Sequence, residues 1–341
     1  MINFKNDYCG IAHPKVLEKL LENKDNKFNG YGLDDASSYA TDLIRKTIKC
    51  NNADVHYLVG GTITNKIVIA HALRPSEAVI CVDTGHINVH ETGAIEETGH
   101  KVLTVPNVNG KLVASKILDV LLTHTDEHMV KPKMVYVSNS TECGSVYTYQ
   151  ELKEISDVCK AHNLYFYLDG ARLGAALTSK KSDLKIEQLP ELVDVFYIGG
   201  TKNGLPLGEA VVIINDELKK NFRFSVKHYG GMYSKGFVLG LCFSSLFEND
   251  LFLEIAKHEN ELAEKLYNGL IELGVKMASD FETNQIFPIF KTEVVNKLKE
   301  KVMFEIWEQG KINTTIRFVT SYMTSEKEIE DVLEIIKALI Q

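Results

Sequence analysis

Two short motifs place an acid and a lysine at the ends of predicted strands. Asp169 opens an Asp-Gly-Ala-Arg sequence after the apolar run 164–168, and Lys202 closes a Gly-Gly-Thr-Lys sequence after the run 193–198. Either residue alone is more often a capping, ion-pairing or solvated side chain. Together they suit pyridoxal 5'-phosphate, because a lysine can form a Schiff base with its aldehyde and a carboxylate can keep its pyridine nitrogen protonated. The pair therefore predicts a site for this cofactor.

A glycine pair follows the apolar run 55–59, at the predicted start of a helix. The backbone N–H groups of a helix N-terminus bind anions, and glycine lets a ligand approach the backbone closely. We therefore expect Gly60, Gly61 and Thr62 to hold the phosphate of the cofactor, with Thr201 as a further hydroxyl donor. The alternative for this segment is a tight turn in which Thr62 caps the helix.

His86 follows the predicted strand 78–82 and is the candidate acid or base. An imidazole at this place could stack on the pyridine ring and exchange protons near neutral pH. His90, four residues later, raises the alternative of a metal site. No carboxylate or cysteine completes a ligand set at matching spacing, so no metal is predicted.

Two arginines are candidates for binding a substrate carboxylate. Arg172 lies three residues after Asp169, and Arg317 lies in an otherwise uncharged strand-like run, 315–320. The planar guanidinium group pairs with a carboxylate through two parallel hydrogen bonds. For Arg317, a solvated position on a strand is an equally good interpretation.

Composition and charge exclude several classes of protein. The 341 residues are 45% hydrophobic and 25% charged, which is typical of a globular enzyme with a large buried core. A net charge of -8 argues against nucleic-acid binding, which needs a basic face. No apolar run is long enough for a membrane span, and no signal peptide is evident. The six cysteines are scattered without a C-x-x-C pair, so we expect reduced thiols and a cytoplasmic location.

Short apolar strands alternate with amphipathic helices through most of the chain. This pattern predicts an α/β fold with a mostly parallel sheet that helices cover on both faces. After about residue 240 a long helix precedes short strands, so we expect a large domain, 1–240, and a small α+β domain, 241–341. The predicted strands are 55–59, 78–82, 102–105, 134–137, 164–168, 193–198, 210–214, 285–290, 302–307 and 315–320, and the predicted helices are 65–73, 90–98, 150–161, 251–273 and 326–340.

The combination of these motifs resembles the threonine aldolases of the β-eliminating lyase group. These are pyridoxal-phosphate enzymes with the aspartate aminotransferase fold (fold-type I). The resemblance runs nearly end to end. It is carried by Asn6-Asp-Tyr, Gly30-Tyr-Gly, Gly60-Gly-Thr, Gly85-His-Ile-Asn-Val-His-Glu-Thr-Gly-Ala, Asp169-Gly-Ala-Arg, Phe196-Tyr-Ile-Gly-Gly-Thr-Lys-Asn-Gly and Ile316-Arg-Phe-Val-Thr.

The resemblance implies a role for each motif. Lys202 would hold the cofactor covalently, His86 would lie over its ring, and Asp169 would pair with the pyridine nitrogen. Arg172 and Arg317 would bind the carboxylate of the amino acid. Gly61 and Thr62 would hold the phosphate, and Tyr31 would contact the substrate. The family has a seven-stranded large domain and assembles as homodimers or homotetramers with active sites at the subunit interface.

Three positions depart from the family pattern. Asn6 stands where most threonine aldolases have a serine that contacts the substrate carboxylate. In the segment Asn-Ser-Thr-Glu that ends at Glu142, Thr141 takes the expected place of a histidine, which puts recognition of the β-hydroxyl in question. Tyr233 replaces an arginine that reaches the phosphate of a neighbouring subunit, and Lys235 is the possible substitute.

The sequence therefore favours cleavage of L-threonine or L-allo-threonine to glycine and acetaldehyde. Two alternatives remain open at this point. The first keeps the cofactor but catalyses β-elimination or transamination of another small amino acid. The second is an inactive binding or regulatory protein that retains the fold, which the presence of Lys202, Asp169 and Arg172 disfavours.

Overall fold

The computed structural model describes residues 1–341. Its strands are β1 Ile2–Asn3, β2 Asp54–Leu58, β3 Glu77–Val82, β4 Lys101–Val105, β5 Lys131–Ser138, β6 Tyr165–Asp169, β7 Val195–Gly199, β8 Glu209–Ile213, β9 Lys276–Met277, β10 Gln285–Ile286, β11 Pro288–Lys291, β12 Val302–Met303, β13 Glu305–Glu308 and β14 Asn313–Val319. Its helices are α1 Pro14–Glu22, α2 Asp35–Thr47, α3 Gly61–Ala72, α4 His86–Val89, α5 Ala114–Thr123, α6 Tyr149–Ala161, α7 Leu173–Leu177, α8 Leu189–Leu192, α9 Asp216–Lys219, α10 Phe222–His228, α11 Phe237–Phe247, α12 Leu251–Glu272, α13 Thr292–Leu298 and α14 Glu326–Ile340. None of these helices has the length and apolar character that a membrane span requires.

The large sheet has seven strands in the order β2-β8-β7-β6-β5-β3-β4. Only β8 runs antiparallel to its neighbours, so the predicted mostly parallel sheet is confirmed. Successive side chains of a strand point to opposite faces. Phe166 therefore packs into a core cluster of 41 residues, while the adjacent Tyr167 packs into a second cluster of 19 residues on the other face.

Each of the seven strands predicted for the large sheet is present, but the predicted helix 90–98 is wrong. The short helix α4 ends at Val89, and only a single 3-10 turn, Glu96–Thr98, follows. Thr92 and Gly93 between them adopt positive φ angles of 51° and 76°, which a right-handed helix cannot accommodate. His86 is therefore the first residue of a short helix, and the chain after it turns sharply.

The C-terminal part contains a smaller sheet in the order β10-β14-β11-β9, with β13 also paired to β14. The predicted strands 285–290 and 302–307 are each divided into two. Strand β1 pairs with β12, and Phe4 belongs to the third core cluster, of 17 residues, which otherwise lies within residues 262–336. Helix α12 connects the cores, because Leu251 and Ile255 pack in the largest cluster and Leu266 packs in the third.

Candidate active site

A cavity of about 560 Å³ lies where several loops leave the carboxyl ends of the large-sheet strands. Residues of β13 and β14 close it from the C-terminal side. The predicted site residues on its wall are Gly60, Gly61, Thr62, His86, Asp169, Arg172, Thr201, Lys202 and Arg317. Those that do not line it are Asn6, Tyr31, Thr141 and Lys235.

Lys202 lies in the turn between β7 and β8, on the cavity wall. Burial lowers the pKa of its amine, and the positive charge of Arg172 lowers it further, against the opposing effect of Asp7. A lysine with a lowered pKa is more often neutral, and the neutral amine is the nucleophile. The environment of Lys202 therefore suits attack on an aldehyde.

Asp169 ends β6 and is 3% exposed. Its Oδ2 accepts hydrogen bonds from the Tyr136 hydroxyl at 2.6 Å and from Asn65 Nδ2 at 3.2 Å. Its Oδ1 accepts one from the backbone N–H of Ala171 at 3.0 Å. These three donors fix the orientation of the carboxylate at the edge of the cavity.

His86 is held by a second buried acid that sequence reasoning did not single out. Its Nδ1 lies 2.8 Å from Oε1 of Glu91, which is 5% exposed and also accepts a hydrogen bond from Asn65 Nδ2 at 2.7 Å. A carboxylate at this distance keeps a proton on Nδ1 and leaves Nε2 for a ligand. Glu91 lies inside the family motif that begins at Gly85, and this position is the sequence signal that could have identified it as a site residue.

The two arginines differ in how their donors are used. Arg172 makes a bidentate ion pair with Asp7, with distances of 2.7 Å from Nε to Oδ2 and 3.1 Å from Nη2 to Oδ1. Arg317 lies 5.4 Å from the Trp307 ring centroid, its Nη1 donates to Gln285 at 3.4 Å, and its buried Nε has no partner in the protein. Arg317 is therefore the better placed of the two to bind a substrate carboxylate.

The N-terminus of α3 opens onto the cavity. Gly60 is the N-cap and no side chain caps the helix, so Thr62 does not form the alternative capped turn. A Cβ at Gly61 would lie 3.3 Å from the Tyr197 hydroxyl oxygen. The free N–H groups of this first turn can bind an anion. Thr201, which also lines the cavity, accepts a hydrogen bond from the Gly208 N–H at 3.0 Å.

Two predicted substrate residues do not line the cavity. Thr141 is 2% exposed, and its hydroxyl bonds to the hydroxyl of Ser145 at 2.7 Å and accepts from the Ser145 N–H at 3.1 Å. Asn6 accepts a hydrogen bond from the N–H of Tyr8 at 3.1 Å. Tyr8 itself lines the cavity. The expectation that Thr141 faces the substrate is corrected, because Ser145 takes up its hydrogen-bonding capacity.

Tyr31 and Lys235 lie in a different region of the molecule. Tyr31 is 46% exposed and lines a second cavity, of about 270 Å³, together with Tyr233. Lys235 lines neither cavity, and its carbonyl oxygen accepts from the Val238 N–H at 3.1 Å. Within one chain, these residues are not brought to the site, and their roles stay predictions.

Three further acids line the cavity and were not predicted as site residues: Glu142, Glu209 and Glu305. Glu142 Oε1 accepts hydrogen bonds from the Ser138 hydroxyl at 2.7 Å and from the backbone N–H of His86 at 3.1 Å. Glu209 accepts from the Gly200 N–H at 3.0 Å, and burial raises its pKa to about 8. No sequence signal distinguishes Glu209 among 46 acidic residues, because only the pairing of β8 with β7 brings it to the lysine.

The seven-stranded sheet, with a lysine and a buried aspartate at its strand ends, defines an α/β enzyme of the aspartate aminotransferase fold. Consistent with this class, aspartate aminotransferase from Thermus thermophilus aligns at a TM-score of 0.74 and 14% identity, over 99% of this chain and 91% of that chain. The chain belongs to the beta-eliminating lyase family, whose model matches residues 29–293.

Two more similar proteins carry a threonine aldolase name. The low specificity L-threonine aldolase of Pseudomonas sp. is 30% identical over 338 residues, which cover 98% of this chain and 96% of the relative. A threonine aldolase structure from Leishmania major is 43% identical and covers 100% of both chains at a TM-score of 0.98. The similarity therefore extends over both the large sheet and the C-terminal part.

Proposed function

We propose that this protein is a pyridoxal 5'-phosphate-dependent aldolase. It cleaves L-threonine, L-allo-threonine and related β-hydroxy-α-amino acids to glycine and an aldehyde. Family membership and the two threonine aldolase relatives support this reaction over β-elimination or transamination. The observation that carries the proposal is the convergence of Lys202, Asp169 and His86 on one cavity.

The residues of this cavity fit the cofactor at each of its functional groups. Lys202 supplies a buried amine for the aldehyde, and Asp169 supplies a fixed carboxylate for the pyridine nitrogen. The uncapped first turn at Gly60 and Gly61 suits the phosphate. When bound, the cofactor supplies an electron sink for the pair left on the substrate Cα as the Cα–Cβ bond breaks.

The side chains of this chain bind and orient the substrate. Arg317 holds the carboxylate and so sets which bond of Cα points away from the ring plane. Arg172, fixed by Asp7, adds positive charge beside Lys202 and favours its neutral amine. Cleavage also needs an acceptor for the proton of the β-hydroxyl group. The candidate predicted from the sequence is His86, acting directly or through a water molecule, and its Nε2 is free because Glu91 engages Nδ1.

The decisive experiment measures products from the purified protein loaded with pyridoxal 5'-phosphate. We expect glycine and acetaldehyde in equal amounts from L-threonine or L-allo-threonine. The variant Lys202→Ala should bind the cofactor without covalent attachment and release no aldehyde. Borohydride reduction followed by mass spectrometry should place the coenzyme on Lys202. A loaded protein that yields no acetaldehyde from either diastereomer, or that yields a keto acid and ammonia, would contradict the proposal.

We also infer a cytoplasmic homodimer or homotetramer with active sites at subunit interfaces. The six free cysteines support the location. The assembly is supported by the exposed Tyr31 and by Lys235, which the family pattern associates with an active site although they lie outside the cavity of their own chain. Sedimentation equilibrium should give a mass of at least two chains, and a monomer that cleaves threonine at full rate would contradict this assembly.

A further inference from the structure

The acids of the cavity are candidates for accepting the proton of the β-hydroxyl group. Besides Asp169, three acids line it: Glu142, Glu209 and Glu305. Glu305 forms an ion pair with Lys5 at 3.4 Å. Glu209 accepts a hydrogen bond from the backbone N–H of Gly200, the first residue after β7, on the lysine side of the cavity. Glu142 alone lies beside His86, the residue expected over the face of the cofactor ring.

The orientation of Glu142 is fixed by the protein. Two other residues donate hydrogen bonds to Glu142, and both bonds end on Oε1. The donors are the Ser138 hydroxyl and the backbone N–H of His86. Oε2 therefore keeps its capacity to accept from a ligand. The Ser138 hydroxyl oxygen also lies 3.2 Å from the Tyr136 hydroxyl oxygen, and Tyr136 donates to Asp169. Each hydroxyl carries one proton, which Ser138 donates to Glu142 and Tyr136 donates to Asp169, so each of the two acids has its own fixed donor.

The neighbouring Thr141 cannot take this role, because its hydroxyl is bonded to Ser145 and buried away from the cavity. On this geometry, and resting on the proposed function, we infer that Glu142, in place of His86, is the catalytic residue that binds the substrate β-hydroxyl group through Oε2 and accepts its proton.

Proton transfer to Glu142 accompanies cleavage of the Cα–Cβ bond. The O–H bond of the β-hydroxyl breaks and its proton passes to Glu142, while a C=O bond forms at Cβ. The Cα–Cβ bond breaks, and its electron pair stays on Cα. Burial, together with the negative charge of Asp169, raises the pKa of Glu142, so its carboxylate is a stronger base than that of an exposed glutamate. His86 keeps its place over the ring, and its backbone N–H orients the Glu142 carboxylate.

The test compares cleavage of L-threonine with reactions of glycine, which has no β-hydroxyl group. Glu142→Gln preserves the size and the acceptor oxygen for Ser138 and His86 but cannot take up the proton. We expect kcat for threonine cleavage to fall about 10²-fold or more. The absorbance change on adding glycine, and exchange of the glycine Cα proton with D₂O followed by NMR, should keep wild-type values. Glu127→Gln, the same change at an exposed site, should alter neither reaction.

A second variant guards against a purely structural effect. Glu142→Asp keeps an acid and should retain more cleavage than Glu142→Gln. The inference is overturned if Glu142→Gln cleaves threonine at the wild-type rate, or if it loses glycine exchange in the same proportion as cleavage. If the wild-type protein exchanges the glycine proton but releases no acetaldehyde, the proposed function itself fails, and this inference falls with it.

Discussion

At the scale of single residues, the site is built on buried charges that neutralise one another. Asp7 is fully buried, and burial alone would raise its pKa. Arg172 and Lys202, with hydrogen bonds from Arg172 and Asn284, outweigh that effect and lower the pKa. Arg172 is in turn fixed by both carboxylate oxygens of Asp7. The ion pair therefore orders the cavity wall before any ligand binds.

The first prediction concerns this ion pair. Asp7→Asn keeps the shape of the side chain but leaves the buried guanidinium of Arg172 without a counter-charge. Removing one partner of a buried ion pair costs about 3–5 kcal/mol, so we expect a loss of that order in the free energy of unfolding. Urea denaturation measures it. Asp157→Asn, which removes an exposed pair with Lys153, is the control and should unfold as the wild type does. Equal midpoints for the two variants would show that the buried pair does not stabilise the fold.

The sequence predicted which side chains line the cavity better than it predicted their hydrogen-bond partners. Lys202, Asp169 and His86 follow strand-like runs, so their place at the sheet edge could be deduced from one segment each. Asp7 could not be assigned to Arg172 in this way, because the two lie far apart in the chain and meet only in the folded structure. Thr141 was misplaced because a shift of one residue in a loop decides which side chain faces the cavity.

At the scale of elements, strand positions were predictable because buried parallel strands are continuous apolar runs. Helix ends were harder to predict where the backbone leaves the helical conformation without a proline, as at Thr92. The pairing of β1 with β12 was not predicted, because a two-residue strand carries no periodicity. The order of the seven strands likewise rests on contacts distant in sequence.

The second prediction concerns the packing of α11 on α2. A Cβ at Gly240 in α11 would lie 2.6 Å from the backbone N and Cα of Ser37 in α2. Backbone atoms cannot move aside as a side chain can, so Gly240→Ala should push the helices apart and cost about 1–3 kcal/mol in the free energy of unfolding. The melting temperature should fall accordingly.

Gly269→Ala in α12 is a matched control for this prediction. The new Cβ would also make close contacts, at 2.4 Å, but with the side chain of Leu333, which can change rotamer. The gain in helix propensity from glycine to alanine, about 1 kcal/mol, applies at both helical positions, so the contacts decide the difference. We expect a smaller loss of stability than for Gly240→Ala. The reverse order would show that the α11–α2 contact is not the tighter one.

At the scale of the whole molecule, one cavity lies between the seven-stranded sheet and the smaller C-terminal sheet. Gly60, His86 and Lys202 come from the large sheet, whereas Trp307 and Arg317 come from the smaller one. Residues that would bind the cofactor therefore lie on one side and the main candidate for the substrate carboxylate lies on the other. Any change in how the two sheets pack would alter the distance between these groups, so stability and activity are linked through the core clusters that meet on α12.

The last prediction concerns how the free energy of unfolding of the chain depends on pH. His56 lies on the edge strand β2 beside Phe222, with ring centroids 4.9 Å apart, and its Nε2 has no hydrogen-bond partner. Burial, together with the smaller effects of Arg223 and His71, lowers its pKa from 6.5 to about 4. The unfolded chain therefore binds a proton on His56 between these pH values that the folded protein does not bind.

The stability that His56 contributes is fully present above pH 6.5 and is lost as the pH falls towards 4. A shift of this size corresponds to about 3 kcal/mol in the free energy of unfolding. His56→Phe, which removes the titrating group and keeps an aromatic ring against Phe222, should flatten the decline between pH 7 and pH 4.5 in urea titrations. His128→Gln, at an exposed position, should leave the decline as it is. If wild type and His56→Phe lose stability in parallel, protonation of His56 does not limit the fold in acid.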